Sequence, residues 1–496
     1  MSIGKKIALG AAWMMLMKFS IRLIGLVSTL ILVRLLDPAD FGIAAMAMTV
    51  VTAVQLLTMF GFDVAIIQNQ NADKDDYNTA WTLNVALGLG AGLLLIALAY
   101  PAAGFYGRPE LVAVYMALSL ATIFQGLENI GLVDFRKHLH FDREFQFRVA
   151  VKVAAFIVTM LLAFTLRSYW ALIIGTITAR LAATVMSYVV HDFRPRWSLA
   201  AAGRIMTFSK WLFLNNIMHT LRTILPDLIV GRIAGARKLG LYTVSYEISN
   251  LPTSELIAPI NRALLPGFSK VADDQAAAGR TFLGVAGLLA LLSLPMGLGI
   301  AVTAEHLTPV VLGEKWLDAA PVIEILALFG SIMAMQSPIT MVIIALGRPR
   351  VVSLMSLAQL VFMLPIMVML TRAHGVTGAA SAMLIMSSLS LPTYYVIVGR
   401  ILGIRFLEFV SAACRPLLAS LLMFLAVREL TAHVDVSLTG LLLLVAAGGF
   451  VYTVAVLALW LACGRPEQSA ERRVLASAQA VLGRLRRSRT PEPPAM

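Results

Sequence analysis

Long apolar runs separated by short polar breaks repeat along the whole chain. Taking runs of about 18 residues or more between charged or Pro/Gly-rich breaks gives approximately fourteen candidate membrane spans. The first span covers 8–36, the fourth 111–133 and the seventh 205–231. Residues DPAD form a short turn between the first two spans. The pattern therefore predicts an all-α polytopic membrane protein.

Composition agrees with this class. Of the 496 residues, 59% are hydrophobic and 14% are charged, whereas soluble domains average roughly 25% charged residues. The net charge of +13 would suggest nucleic-acid binding in a soluble protein. In a membrane protein, cations collect in the cytoplasmic loops, so we expect no nucleic-acid partner. The first span has no small-residue cleavage site and is expected to stay uncleaved.

Lysine and arginine are distributed unevenly between alternate loops. Placing the N-terminus in the cytoplasm makes the cytoplasmic loops more basic by roughly two or three to one. The basic stretch FRKHLHFDREF joins two spans in one of these loops, and we expect it to set topology and to face phospholipid headgroups. Both termini are therefore predicted to be cytoplasmic. No loop on the outer side is long enough to fold as a catalytic domain.

The chain contains an internal repeat. Four residues recur at an offset of 198 positions, and each recurs at an equivalent place in the predicted topology. Six spans separate the copies, so the two halves share one orientation. The matching pairs are Trp13 and Trp211, Arg34 and Arg232, Gly42 and Gly240, and Asp76 and Asp274.

The repeat predicts two six-helix bundles, at 1–200 and 201–405, followed by an additional helix pair at 406–463. Two such bundles enclose a cavity, and rocking of one against the other gives alternating access. The tail, 464–496, is basic and amphipathic and ends in a Pro-rich stretch. We expect it to lie on the anionic cytoplasmic leaflet; docking to a partner is the alternative.

Charged side chains inside apolar spans mark candidate functional sites, because a cation in hydrocarbon is costly without a polar cavity or a partner. Lys18 and Arg22 lie four apart in the first span, although Lys18 could instead reach the interface. Arg180 lies near the middle of the sixth span, with Thr184 and Ser187 on its face. The candidates for a cavity lining are Lys18, Arg22, Arg180, Asn215, His219 and Arg222.

Such a cluster of cations repels itself in a low dielectric. It therefore indicates an anionic guest with several charges, most simply a phosphate or pyrophosphate. The alternative is local pairing: Arg222 could pair with Asp227, whereas the sequence identifies no acid for Arg180.

Carboxylates within spans are scarcer and could couple transport to an ion gradient. A buried carboxylate with a raised pKa can take up and release a proton near neutral pH. Each could equally serve as an ion-pair partner for an arginine. The coupling candidates are Asp227, Glu247 and Glu255, and Glu128 and Asn129 are further polar residues in the fourth span.

Motifs of enzymes and metal sites are not found in the sequence. It has no Walker-type loop, HExxH or GxSxG motif. Cys414 and Cys463 lie in different spans, without Cys or His neighbours at metal-ligand spacing. We therefore expect a transporter without a metal or cofactor.

Three stretches, RLLDPADFGIAAMAMTVV, FGFDVAIIQ and DFRKHLHFDREF, resemble those of Wzx-type flippases in the multidrug/oligosaccharidyl-lipid/polysaccharide superfamily. The resemblance implies export of an undecaprenyl-pyrophosphate-linked oligosaccharide across a bacterial inner membrane for exopolysaccharide, O-antigen or lipopolysaccharide synthesis. It also implies a cationic cavity for the pyrophosphate and coupling to H⁺ or Na⁺. Expected partners are membrane lipids and polysaccharide polymerase or export machinery.

Three alternatives remain open. A lipid II flippase would share the span number and a cationic cavity, but the first loop lacks its typical residues. A multidrug antiporter usually has twelve spans and a cavity for cationic drugs, which the arginines oppose. A polymerase or ligase would be an enzyme and would need a large outer loop.

Overall fold

The computed structural model describes the backbone of residues 3–271, 274–466 and 469–475. Every regular element in these ranges is a helix, so the all-α fold predicted from the sequence is confirmed. The side chains that lie outside the description within these ranges are those of 3–8, 207–219, 222, 251–256, 258–259, 261–263, 265–266 and 349.

The chain forms two compact units, Met1–Thr243 and Val244–Met496, here called unit 1 and unit 2. The domain boundaries expected from the repeat, at residues 200 and 405, stay predictions. The helices are α1 Ile3–Leu35, α2 Pro38–Gln55, α3 Phe62–Gln68, α4 Lys74–Tyr106, α5 Leu111–Leu127, α6 Val133–Lys137, α7 Phe141–Leu166, α8 Trp170–Val190, α9 Ala202–Ser269, α10 Gln275–Leu307, α11 Ala320–Ala345, α12 Pro349–Leu402, α13 Phe406–Thr431 and α14 Leu438–Ala462.

Ten helices in the described residues are long and apolar enough to cross a membrane, or eleven if a bent pair at 111–137 counts as one span. The predicted number of fourteen is not confirmed. The helix α12 is too long for one span, because its 54 residues would extend about 80 Å. It breaks at Gly375 (φ 63°), and a methyl group on Gly378 would overlap the Leu370 carbonyl, so the chain turns sharply there.

The LLDPADFG turn ends α1, begins α2 and contacts α8. Asp40 accepts a hydrogen bond from the Asp37 N–H at 3.0 Å and another from the Tyr169 N–H, just before α8, at 2.9 Å. Pro38 occupies the first position of α2, where the missing N–H has no intrahelical partner in any case. The turn thus joins three helices of unit 1.

The helix α9 also breaks at a glycine, Gly235 (φ 82°), and we call the part after it the second segment of α9. Within unit 1, α2 and this second segment approach so closely that only glycine fits at the contact. A methyl group on Gly42 would overlap the carbonyl oxygen of Ala236, and one on Gly240 would overlap that of Pro38. Pro38 and Ala236 are separated by the same 198 positions as the two glycines. The contact is therefore reciprocal, since each copy of the repeat contributes one glycine and one carbonyl group.

Helix caps show the repeat again. Asp73 accepts a hydrogen bond from the Asp76 N–H at 2.9 Å at the start of α4, and Asp274 accepts one from the Ala277 N–H at 3.0 Å at the start of α10. Each cap satisfies a backbone donor that the first helical turn leaves unpaired. Asp274 therefore corresponds in its role to Asp73 and not to Asp76, so the offset lengthens slightly along the repeat.

Small residues allow close helix packing in unit 1. A methyl group on Gly88 of α4 would lie 2.8 Å from the Cα of Gly126 in α5. One on Gly175 of α8 would overlap the hydroxyl of Thr159 in α7. Close backbone approach increases the van der Waals contact that holds helices together in lipid.

Aromatic rings join four helices of unit 2. Tyr395 of α12 stacks on Phe409 of α13 with ring centroids 3.4 Å apart and packs against Phe282 of α10 at 5.5 Å. Its buried hydroxyl donates to the Met335 carbonyl of α11 at 2.9 Å. One tyrosine thus contacts each neighbouring helix of this core.

The start of the predicted tail folds back against unit 2. Arg415 of α13 donates two hydrogen bonds to Glu471, at 2.9 and 3.3 Å, and the Trp460 ring nitrogen donates to the Ser469 hydroxyl at 3.0 Å. This part of the tail therefore packs on protein. The rest, 476–496, including most of the predicted amphipathic face, lies outside the described residues.

Replacing Gly42 with alanine is expected to lower the free energy of unfolding by about 1–3 kcal/mol, because the methyl group meets a backbone carbonyl that no rotamer change can move. Thermal unfolding of the purified protein in detergent measures the effect. Gly90→Ala is the matched control, since a Cβ at Gly90 meets nothing within 4 Å. An unchanged unfolding midpoint for Gly42→Ala would contradict the close contact.

Replacing Glu471 with glutamine is expected to release the docked segment. Burial alone would raise the pKa of Glu471, but the hydrogen bonds from Arg415 hold it below its ordinary value of 4.5. The pair therefore stabilises docking fully above about pH 4.5, and this stabilisation is lost as the pH falls through the lowered pKa. Near neutral pH, trypsin should cleave after the exposed Arg472 and Arg473 several-fold faster in the variant.

The control for this cleavage experiment is Glu429→Gln. It removes an exposed carboxylate from α13, the helix that carries Arg415. Equal cleavage rates for Glu471→Gln and the unmodified protein would show that the ion pair does not hold the segment.

Candidate functional site

The helix α5 ends inside a predicted span. The backbone leaves the helix at Glu128 and Asn129, and a short helical segment, Ile130–Lys137, resumes at an angle of 60°. Such a break frees backbone N–H and C=O groups. In a membrane these groups are tolerated only where neighbouring protein or water supplies hydrogen-bond partners.

Hydroxyl groups of α8 supply those partners. Thr184 donates to the carbonyl oxygen of Phe124 at 2.6 Å, and Tyr188 donates to that of Leu127 at 3.0 Å. Trp81 of α4 donates in turn to the Tyr188 hydroxyl at 3.0 Å. The end of α5 is therefore stabilised by two side chains four residues apart on one face of α8.

Asn129, which lies at the break itself, also stabilises it through hydrogen bonds. Its N–H donates to the Ser187 hydroxyl at 2.9 Å, and its side-chain amide donates to the Phe193 carbonyl at 2.7 Å. Its side-chain oxygen accepts a hydrogen bond from the Gly131 N–H at 2.9 Å. Asn129 therefore has a structural role, and both it and its neighbour Glu128 line a pocket.

A polar pocket with a volume of about 250 Å³ lies at the break, and we call it the elbow pocket. Its walls come from α2 to α7, all within unit 1. Gln55 of α2 donates to Gln125 of α5 at 3.0 Å, which joins two of these walls. The charged residues that line it are Asp63, Glu128, Arg136, Glu144 and Arg148, and the amide residues are Gln55, Asn84, Gln125 and Asn129.

Arg136 is held tightly by two carboxylates. Its Nε lies 2.7 Å from an oxygen of Glu144, and its Nη1 lies 3.6 Å from an oxygen of Asp63. The Glu144 side chain is only 8% exposed. Glu144 is therefore costly to separate from Arg136, since alone it would be a buried and uncompensated charge.

Arg148 and Arg180 share one carboxylate. Nη1 of Arg148 lies 3.9 Å from an oxygen of Glu128. Arg180, half-buried on α8, has Glu128 and Arg148 as charged neighbours. Glu128 is therefore the acid for Arg180 that the sequence did not identify.

None of the predicted cavity cations is among the residues that line the elbow pocket, and Arg180 lies beside it as a charged neighbour of Glu128 and Arg148. On α1, Lys18 is exposed and Arg22 is half-buried. The side chains of Asn215, His219 and Arg222 lie outside the described residues, although their backbone is helical. A shared cavity lined by these six residues stays a prediction.

The predicted ion-coupling acids lie in different surroundings. Asp227 is half-buried on α9, in unit 1, and acts electrostatically on the Tyr106 hydroxyl, whose other polar neighbour is Thr49. Glu247 is half-buried in unit 2, and the Glu255 side chain lies outside the described residues. Their coupling role stays a prediction.

Three charged residues of the pocket come from a stretch whose function the sequence analysis assigned differently. Arg136, Glu144 and Arg148 lie in or just after FRKHLHFDREF, which we predicted to set topology and face lipid headgroups. Glu144 and Arg148 are four residues apart and therefore lie on one face of α7. That spacing was the sequence signal that could have indicated an inward polar face.

Among the described residues, no cluster of His, Cys, Asp or Glu could hold a metal.

Curated relatives cover most of the chain. The lipopolysaccharide biosynthesis protein WzxC of Escherichia coli (strain K12) is 25% identical over 432 residues, covering 85% of this chain and 87% of WzxC. The succinoglycan biosynthesis transport protein ExoT of Rhizobium meliloti (strain 1021) is 24% identical over 483 residues, covering 96% of each chain.

Solved structures share the fold at low sequence identity. The lipid II flippase MurJ, in an inward closed conformation, aligns with a TM-score of 0.71 and 13% identity, covering 90% of this chain and 98% of MurJ. An inward-facing multidrug resistance transporter of the MATE family aligns with a TM-score of 0.62 and 13% identity, covering 77% of this chain and 94% of that chain. At this identity the likeness shows the fold alone.

The family model described as polysaccharide biosynthesis protein matches residues 31–321, which is more than half of the chain. The matched segment includes the LLDPADFG turn and the elbow pocket. The resemblance noted from the sequence is confirmed, and the chain belongs to this family of polysaccharide biosynthesis proteins.

Proposed function

We propose that this chain is a flippase that moves a polyprenyl-pyrophosphate-linked oligosaccharide across a bacterial inner membrane for polysaccharide synthesis. The observation that carries the proposal is the similarity to ExoT, named as a transport protein, over 96% of both chains. The similarity to WzxC extends it to lipopolysaccharide synthesis. The arginine-rich polar sites inside apolar helices suit a substrate that carries a diphosphate.

In this proposal both termini lie in the cytoplasm. The elbow pocket then lies at the cytoplasmic end of unit 1, where α4 and α7 begin and α5 ends. A lipid-linked glycan that enters from the inner leaflet would meet this end first. The pyrophosphate would then be bound in a cavity lined by Lys18, Arg22, Arg180, Asn215, His219 and Arg222.

Transport against a gradient requires coupling to H⁺ or Na⁺, and we assign this role to Asp227, Glu247 and Glu255. Asp227 is supported best by its described surroundings, because the group on which it acts electrostatically, the Tyr106 hydroxyl, is uncharged. A carboxylate in such a setting can exchange its charge by binding a cation or a proton.

A lipid II flippase is the second candidate. It is favoured by the TM-score of 0.71 to MurJ, which concerns the fold, whereas the family match concerns polysaccharide synthesis. The identity of the lipid-linked glycan that accumulates without the protein distinguishes the two: a polysaccharide repeat unit supports our proposal, and lipid II supports the alternative.

The direct test is a strain that lacks the gene. We expect lipid-linked oligosaccharide to accumulate on the cytoplasmic leaflet and surface polysaccharide to be lost. Arg22→Ala and Arg222→Ala should each reduce export about tenfold or more, because losing one charged contact to a desolvated anion costs about 2 kcal/mol or more. Immunoblots check that protein abundance is normal.

Arg167→Ala is the control for these variants, because Arg167 is exposed at the end of α7. Full export by both test variants would exclude these two arginines from substrate binding. Normal polysaccharide and no accumulation in the gene-deletion strain would contradict the proposed function itself.

Asp227→Asn is expected to abolish stimulation of transport by an imposed ion gradient, because an amide cannot bind and release a proton or neutralise Na⁺. Transport of fluorescent lipid-linked oligosaccharide into proteoliposomes, with and without a pH or Na⁺ gradient, measures this. Asp75→Asn, in the exposed first turn of α4, is the control. Gradient stimulation that persists in Asp227→Asn would rule out this residue as the coupling site.

A further inference from the structure

We propose that the elbow pocket is a phosphate-binding site in which Glu128 is a built-in counter-ion that the anionic guest displaces from Arg148 and Arg180. The inference rests on the proposed function, in which the guest is the diphosphate of the carried lipid. A free diphosphate offers the same chemistry, and the experiment below separates the two sources.

The two groups of charges around the pocket differ in how firmly they are paired. Arg136 lies 2.7 Å from Glu144 and has a second carboxylate, Asp63, at 3.6 Å. Arg148 lies 3.9 Å from Glu128, and their side chains are 39% and 22% exposed. Because the second pair is longer and its carboxylate is more exposed than the 8% exposed Glu144, it is the pair that a guest can open at lower cost.

The charge is also divided unevenly. Arg136 faces two carboxylates, whereas Arg148 and Arg180 share Glu128. Among the described residues, Arg148 and Arg180 thus have one carboxylate between them, and the second carboxylate at Arg136 balances the charge of the whole group. A phosphate that replaced Glu128 would meet two guanidinium groups, whose fixed donor geometry matches phosphate oxygens.

Hydrogen bonds stabilise the backbone around these side chains. Thr184 and Tyr188 bond the end of α5 from α8, the same helix that carries Arg180. The guanidinium of Arg148 also lies 5.4 Å from the ring of Phe147, a contact that favours a cation near this wall. Guest binding can therefore proceed by exchange of side-chain partners on a fixed frame.

If Glu128 competes with the guest, its removal should strengthen binding. An ordinary structural ion pair would give the opposite result or no change, because the guest would have no access to the arginines. The direction of the Glu128→Gln effect therefore separates a counter-ion from a structural partner.

The experiment measures the binding of inorganic pyrophosphate to the purified full-length protein in detergent by isothermal titration calorimetry. We expect Glu128→Gln to bind about tenfold more tightly, and Arg148→Gln and Arg180→Gln about tenfold more weakly, which corresponds to ordinary coupling energies between neighbouring sites. Arg143→Gln, an exposed arginine on the same helix as Arg148, should bind like the unmodified protein.

Equal pyrophosphate affinity in the unmodified protein, Glu128→Gln and Arg148→Gln would overturn the proposal. These two residues are partly exposed, so their variants remain informative even if the half-buried Arg180 is needed for folding. Unfolding midpoints measured on the same samples identify any variant that is misfolded.

A second titration uses geranylgeranyl pyrophosphate in place of inorganic pyrophosphate. Tighter binding of the lipid diphosphate, with the same order among the variants, identifies a lipid-linked guest. Equal binding of both probes identifies a site for the diphosphate alone, and both results support the phosphate site.

The outcome is independent of the test of the proposed function. Accumulation of lipid-linked oligosaccharide in the gene-deletion strain, together with unchanged pyrophosphate binding in all variants, would reject the pocket and keep the flippase. Normal export in that strain, together with the expected order of affinities, would reject the flippase and keep the phosphate site.

Discussion

Backbone groups inside a membrane must find hydrogen-bond partners within the protein, and this constraint shapes the site at the end of α5. The chain leaves the helix at Glu128 and Asn129, and hydroxyls of Thr184, Ser187 and Tyr188 bond the backbone beside the break. Without them, the exposed carbonyl and N–H groups would each cost several kcal/mol in lipid. The elbow pocket exists because α8 carries these three hydroxyls next to the break.

A second constraint acts where α2 meets the second segment of α9. Carbonyl groups of Pro38 and Ala236 occupy the space that a side chain at Gly240 or Gly42 would need. The four positions form two pairs related by the repeat, so duplication of one sequence supplies both halves of the contact. The nearby LLDPADFG turn also binds the start of α8 through Asp40, so the repeat contact is connected to the helix whose hydroxyls bond the end of α5.

The charges of the pocket divide into a firm group and a loose one. Arg136 with Glu144 and Asp63 stabilises the walls, because separating the buried Glu144 from its arginine would leave an uncompensated charge. Glu128 is more exposed than Glu144 and lies farther from its arginine, Arg148. A flippase must bind an anionic group and release it again. If Glu128 pairs with the arginines when no guest is bound, these cations have an anionic partner both with and without the guest.

The sequence by itself determined the helical membrane fold, the turn between the first two spans, the repeat and the family, because apolar periodicity and short motifs are local properties. Its number of fourteen spans is not confirmed, since the described residues contain ten helices long and apolar enough to cross a membrane, or eleven with the bent pair at 111–137. The sequence also did not predict the elbow pocket. It placed Arg148 in a loop expected to face lipid headgroups, and it identified no acidic partner for Arg180. Only the tertiary structure brings both to Glu128, because their meeting depends on the break in α5 and on the packing of α7 and α8, which no local pattern encodes.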